Sequence, residues 1–159
     1  MGEFRTGVRL GVDVGKARIG VARCDPLGTL ATPVETVARD AAGSADVLRI
    51  VAIANEQNAI EIVVGLPLSL SGSNTASTDD AVAFAQRLAG AAGRPVRLVD
   101  ERLSTVTAHS ALRDTGRSQK RSRKIIDQVA AVIILQHAID TEKSTSEPPG
   151  TWVETTPES

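Results

Sequence analysis

Apolar positions along this chain change period repeatedly between residues 8 and 139. Val8–Val14, Arg18–Arg23 and Thr29–Val37 read as three successive strands, the third at a sheet edge because Pro33 cannot donate to a ladder. Ala45–Asn55 then switches to the helical period, with Val47, Ile50, Val51 and Ala54 on one stripe. Ile60–Gly65 is a short, continuous apolar run, the mark of a parallel strand buried on both faces. A polar loop from Leu66 to Ser77 follows. Ser77 or Thr78 is expected to cap a helix reaching about Ala91, with Asp79 and Asp80 suited to its positive end. Val96–Val99 is a fifth strand, Thr105–Arg113 a short helix, and Lys124–Ile139 a helix apolar on most sides and therefore central.

Three meandering strands followed by helix-separated strands define an α/β fold. The expectation is a mixed five-stranded sheet of order 3-2-1-4-5 with helices on both faces. Strand one is then central, and its end lies beside the ends of strands four and five, where open α/β sheets place their sites. Residues 7–140 form one domain. Residues 1–6 are expected to be loose, and 141–159, rich in Ser, Thr, Pro and Glu, to be a disordered tail.

Three acids interrupt this apolar pattern. Asp13 sits near the end of strand one, just before the tight turn at Gly15 to Ala17. Glu101 follows strand five. Asp127 falls between Ile126 and Val129 in the last helix. A carboxylate in such a place needs a cation or a set of donors. Converging carboxylates raise one another's pKa unless a cation neutralises them, and Mg²⁺ or Mn²⁺ prefers oxygen ligands of this kind. Two such ions activate water and stabilise the leaving oxygen in phosphodiester cleavage.

Net charge is −1, which favours no partner, but five basic residues fall within eight positions: Arg117, Lys120, Arg121, Arg123 and Lys124. They read as phosphate contacts in a basic loop. Lys16 and Arg18 flank the turn after Asp13. Ser69 and Asn74 lie in the polar loop, and Arg102 adjoins Glu101. Each is a candidate nucleic-acid contact, although solvated loops and hairpins carry the same residues. With no Tyr and two Phe, a base-stacking platform is not expected, so backbone and shape would dominate recognition. One Cys and two separated His give no zinc pattern. The single cysteine, Cys24, fits a reducing cytoplasm and reads as a small strand residue. No apolar stretch is long enough to span a membrane.

The opening hairpin resembles that of ribonuclease-H-like chains, and also that of sugar kinases and actin-like ATPases. Further segments narrow the choice. Leu10-Gly11-Val12-Asp13-Val14-Gly15, Arg18-Ile19-Gly20-Val21-Ala22, Val63-Val64-Gly65-Leu66-Pro67, Val99-Asp100-Glu101-Arg102-Leu103-Ser104-Thr105 and Lys124-Ile125-Ile126-Asp127-Gln128-Val129-Ala130-Ala131 occur in order. Together they resemble the YqgF family, also called RuvX, described as Holliday junction resolvases or pre-16S ribosomal RNA nucleases. Ser104 stands where that family often has Thr. The resemblance implies a ribonuclease-H-like fold, metal-dependent nuclease chemistry, and Asp13, Glu101 and Asp127 as catalytic acids and metal ligands. It implies Mg²⁺ or Mn²⁺, as two ions, and rRNA precursor or branched DNA as partner. Cutting a four-way junction at two symmetric strands would favour a homodimer. The rival from another class is a noncatalytic nucleic-acid-binding module of the same fold; metal-dependent cleavage separates the two. A sugar-kinase-like nucleotide binder would need a second lobe and a second phosphate loop.

Overall fold

The structure is a computed structural model describing residues 5–68, 71–100 and 119–153, with side chains in the last stretch from residue 128 onward. Strands β1 (Arg9–Val14), β2 (Arg18–Cys24) and β3 (Ala31–Ala38) form an antiparallel meander. Helix α1 (Ala45–Gln57) leads to β4 (Glu61–Leu66), which pairs parallel with β1. Helix α2 (Ala76–Ala92) leads to β5 (Val96–Asp100), parallel with β4. Helix α3 (Gln119–Thr145) and a two-residue strand, β6 (Thr151–Trp152), complete the order. The sheet runs β3-β2-β1-β4-β5-β6, the expected order with one strand added. Pro33 does lie on the edge strand, beside a bulge between Val21 and Ala22. The helix expected over Thr105–Arg113, with His109, lies outside the described residues. Among the described residues no helix is long and apolar enough to cross a membrane.

Alternation along each strand builds two cores. Leu10, Val12, Ile19, Val21, Ile62 and Val64 turn to one face, where α1 and α2 cover them with Ile50, Ile53, Phe84 and Leu88. Ala22, Cys24, Val63 and Val99 turn to the other, under Ala131, Ile134, Leu135, Ala138 and Ile139 of α3. Helices therefore cover both faces. Cys24 is buried there, its Sγ accepting the Arg9 amide, and burial pushes its thiol above the ordinary value.

Gly11 sets how closely α3 approaches. A Cβ at this position would stand 2.7 Å from Leu135 Cβ and 2.8 Å from the Ala131 carbonyl oxygen. The obstacle includes helix backbone, so it cannot be relieved by a rotamer change. Gly11→Ala is expected to cost about 1–3 kcal/mol, the usual range for overpacking. Urea titration checks this, and a change below about 0.5 kcal/mol would show that α3 yields freely.

Four expectations need correction. Helix α3 begins at Gln119 rather than Lys124 and runs past Ile139 to Thr145, so Lys120, Arg121, Arg123 and Lys124 lie on helical backbone, not in a loop. Of the tail 141–159, expected to be disordered, 141–145 complete α3, Thr151–Trp152 pair with β5 and Val153 is buried, while 154–159 lie outside the described residues. The turn into β6 needs a left-handed residue that leaves room for the neighbouring strand. Gly150, at φ +66°, supplies it where a Cβ would strike the Leu98 carbonyl. Trp152 then lies over the Arg97 guanidinium, 5.0 Å from Cζ to the ring centre.

Of residues 1–6, expected to be loose, 1–4 lie outside the described residues, and Arg5 is tied down. Arg5 donates to Glu142 at 2.7 Å and also pairs with Glu61. Finally, α2 is capped by Thr75, not Ser77 or Thr78. The Thr75 hydroxyl accepts the Thr78 amide, and the Thr78 hydroxyl accepts the Thr75 amide, a reciprocal box that satisfies two donors at the helix start.

Candidate active site

The register of β1 against α3 sets where Asp13 stands along the helix. Arg9, Gly11 and Asp13 alternate onto the face that α3 covers. Arg9 meets Glu142 at 3.0 Å, and Gly11 lies against Leu135 and Ala131. Strand and helix therefore run in opposite directions. Two strand residues from Gly11 to Asp13 advance about 6.6 Å. Four helical residues from Ala131 back to Asp127 advance about 6 Å the same way.

A cross-strand row meets the helix near the same level, two strands away on β3. Asp13 faces Gly20, and Gly20 faces Thr36. The Thr36 hydroxyl accepts a 2.9 Å hydrogen bond from Nε2 of Gln128, the residue after Asp127. Asp13 is half-buried. A carboxylate oxygen is the kind of ligand that a hard divalent cation takes.

Among the described residues no three His, Cys, Asp or Glu side chains come together to hold a metal. Of the three acids singled out in the sequence, only Asp13 has a described side chain. Asp127 is placed as helical backbone within α3, and Glu101 lies outside the described residues, one position beyond the end of β5. Ser69, Arg102 and Arg117 also lie outside them.

The remaining candidates separate. Arg18 alternates with the buried Ile19 and so belongs to the Asp13 face, where it is half-buried. Lys16 is exposed and lies toward α2, close enough that its charge helps lower the pKa of Asp80. Asn74 is exposed in the loop before α2, bridged to Leu68. His137 is exposed on α3.

One residue at this end of the sheet was missed in the sequence. Arg39, just past β3, donates to the Gly15 carbonyl at 2.8 Å and forks onto Asp80 at 2.8 and 3.0 Å. The signal was parity: Val37 turns to the core, so a charged residue two positions on has the same direction.

A ribonuclease-H-like sheet with an acid at the end of its central strand defines a class of protein, and comparison assigns the family within it. The model of the family "RuvX: Holliday junction resolvase" matches residues 7–141, and the chain belongs to that family. A protein of Clavibacter michiganensis named "Putative pre-16S rRNA nuclease" is 66% identical over 150 residues, covering 94% of this chain and 93% of that protein. A Streptomyces coelicolor protein of the same name is 53% identical, covering 95% and 90%. In fold the chain is similar to T. thermophilus RuvC in complex with a Holliday junction substrate. The TM-score is 0.55 at 18% identity, with 90% of this chain and 99% of that one covered.

Proposed function

We propose that this chain is a metal-dependent endonuclease that hydrolyses phosphodiester bonds in structured nucleic acid, with Asp13, Glu101 and Asp127 as its catalytic acids. The observation that carries the reading is the level of Asp13. Its strand position and that of Asp127 on α3 advance equally from the contact of Gly11 with Ala131. Glu101 adjoins the end of β5, two strands from β1 in the sheet. When bound, one or two Mg²⁺ or Mn²⁺ ions would lower the pKa of the attacking water and stabilise the leaving oxygen. The chain's own part is to hold oxygen ligands rigidly and to neutralise the substrate backbone.

For the second task α3 offers an unusual start. Lys120, Arg121, Arg123 and Lys124 crowd its first turns, and no acid stands in the first turn. Cations are disfavoured at the positive end of a helix dipole, whereas anions are favoured there. A phosphate backbone would relieve this repulsion. Replacing all four with Ala is expected to weaken binding to every nucleic acid alike. Each lost phosphate contact should reduce the log–log salt slope by about 0.7 to 0.9. An unchanged slope in a folded quadruple variant would move the nucleic-acid surface elsewhere, with the 66–77 loop next in line.

The names of the relatives favour a precursor of 16S rRNA as substrate. The family description favours branched DNA, for which a homodimer would present two sites. The expected compartment is the cytoplasm. Side-by-side cleavage of a 16S precursor fragment and a four-way junction, each with Mg²⁺ and Mn²⁺, decides between them. Binding without cleavage of either, under both metals, would leave the noncatalytic module as the reading.

A further inference from the structure

The turn that follows Asp13 is held from behind the sheet. Asp13 stands on the α3 face, whereas Arg39 has the parity of Val37 and reaches the turn from the α2 face. Its guanidinium donates to the Gly15 carbonyl and forks onto both carboxylate oxygens of Asp80, on the second turn of α2. Asp46, fully buried at the start of α1, lies 3.6 Å from Nε. The Phe84 ring lies under the planar group, 5.4 Å from Cζ to its centre.

The backbone of residue 39 joins in: its amide donates to the Ala17 carbonyl at 3.0 Å. Gly15 in turn donates to the Arg18 carbonyl at 2.9 Å, and a Cβ on Gly15 would strike that same oxygen. One side chain thus ties the β1–β2 turn to the starts of both α1 and α2. The two hydrogen bonds from Arg39 hold the Asp80 carboxyl below the usual carboxylate range. A planar, five-donor fork suits this task, and the point charge of a lysine does not.

We propose that Arg39 is a positioning residue for the reaction. By fixing the Gly15–Ala17 turn against α2 it fixes the direction in which β1 presents the Asp13 carboxylate. The catalytic consequence rests on Asp13 acting as proposed above; the structural half does not. Sites of this kind need their ligands within about 0.5 Å of the productive geometry, and a misplacement of about 1 Å can cost about 100-fold.

Two readouts on Arg39→Ala, Arg39→Lys and Asp80→Asn test this. In hydrogen exchange, the Gly15 amide and the amide at position 39 should exchange at least about tenfold faster in Arg39→Ala. Asp80→Asn, which leaves the Gly15 bond in place, should show less. In cleavage assays with Mn²⁺, turnover should fall about 100-fold in Arg39→Ala while the KM for nucleic acid stays within about twofold. Arg39→Lys should recover only part of both effects, and it decides by the same readouts if Arg39→Ala does not fold. Unchanged exchange at the turn, or full turnover in a folded Arg39 variant, overturns the proposal. If the native protein cleaves neither RNA nor DNA, the nuclease reading fails by itself. The exchange data then still decide whether Arg39 holds the turn.

Discussion

Asp13→Asn is expected to abolish cleavage while leaving the fold and nucleic-acid binding in place. The substitution keeps the size and shape of the side chain. On the proposed role of Asp13, it removes one anionic oxygen ligand and one negative charge facing the substrate phosphates. Charge stabilisation by a bound metal contributes several kcal/mol to the transition state, and each 1.36 kcal/mol is a factor of ten in rate. The loss should therefore reach about a thousandfold or more. Binding, measured separately by anisotropy, should be unchanged or slightly tighter. A folded variant that loses binding together with cleavage would mean that Asp13 shapes the nucleic-acid surface rather than the chemistry. Cleavage near the native rate would remove it from the site.

Glu142→Ala is expected to be the most damaging single substitution for stability, at about 3–5 kcal/mol, the range for breaking a buried ion pair by removing one partner. That is a large part of the about 5–15 kcal/mol that holds a domain of this size together. Glu142 is 3% exposed and accepts hydrogen bonds from Arg5 and from Arg9, itself 2% exposed. Glu61, fully buried, shares Arg5 and pairs with Arg97. Three guanidinium groups thus share two carboxylates, and losing one carboxylate leaves buried positive charge undercompensated. Burial alone would raise the Glu142 pKa, but the bonds from Arg5 and the charge of Arg9 outweigh it and bring it below the ordinary carboxylate range.

The sign of the pH dependence follows. A depressed folded pKa gives stability that is fully present above the unfolded value, near 4.3, and lost as pH falls through the folded one. Denaturant titrations across about pH 6 to 3 should show Glu142→Ala with a flatter dependence than the native chain. A penalty under 1 kcal/mol at pH 7 would show that Arg5 and Arg9 find other partners.

Local chemistry determined most of the framework. The hairpin around Asp13, the edge position of Pro33 and the parallel run at β4 follow from period, turn residues and proline. These signals act over a few residues and do not need the rest of the chain. The candidate acids were legible for the same reason: a carboxylate within an apolar run is visible wherever the run is.

Features made by distant partners were decided only by the tertiary structure. Thr151–Trp152 is too short and polar to announce a strand, and it becomes one because Gly150 turns it onto β5 and Arg97 meets its indole. Arg5 and Glu142 sit 137 positions apart, so neither the anchoring of Arg5 nor the extension of α3 could be read from its own neighbours. The Thr75 cap competed locally with Ser77 and Thr78, and the Pro67 carbonyl, which accepts from the Thr78 hydroxyl, favours the earlier start. Arg39 shows the same division. Its parity was written in β3, but the carbonyl and carboxylates it joins come from the β1–β2 turn, α1 and α2, and only the folded sheet brings them within one guanidinium's reach.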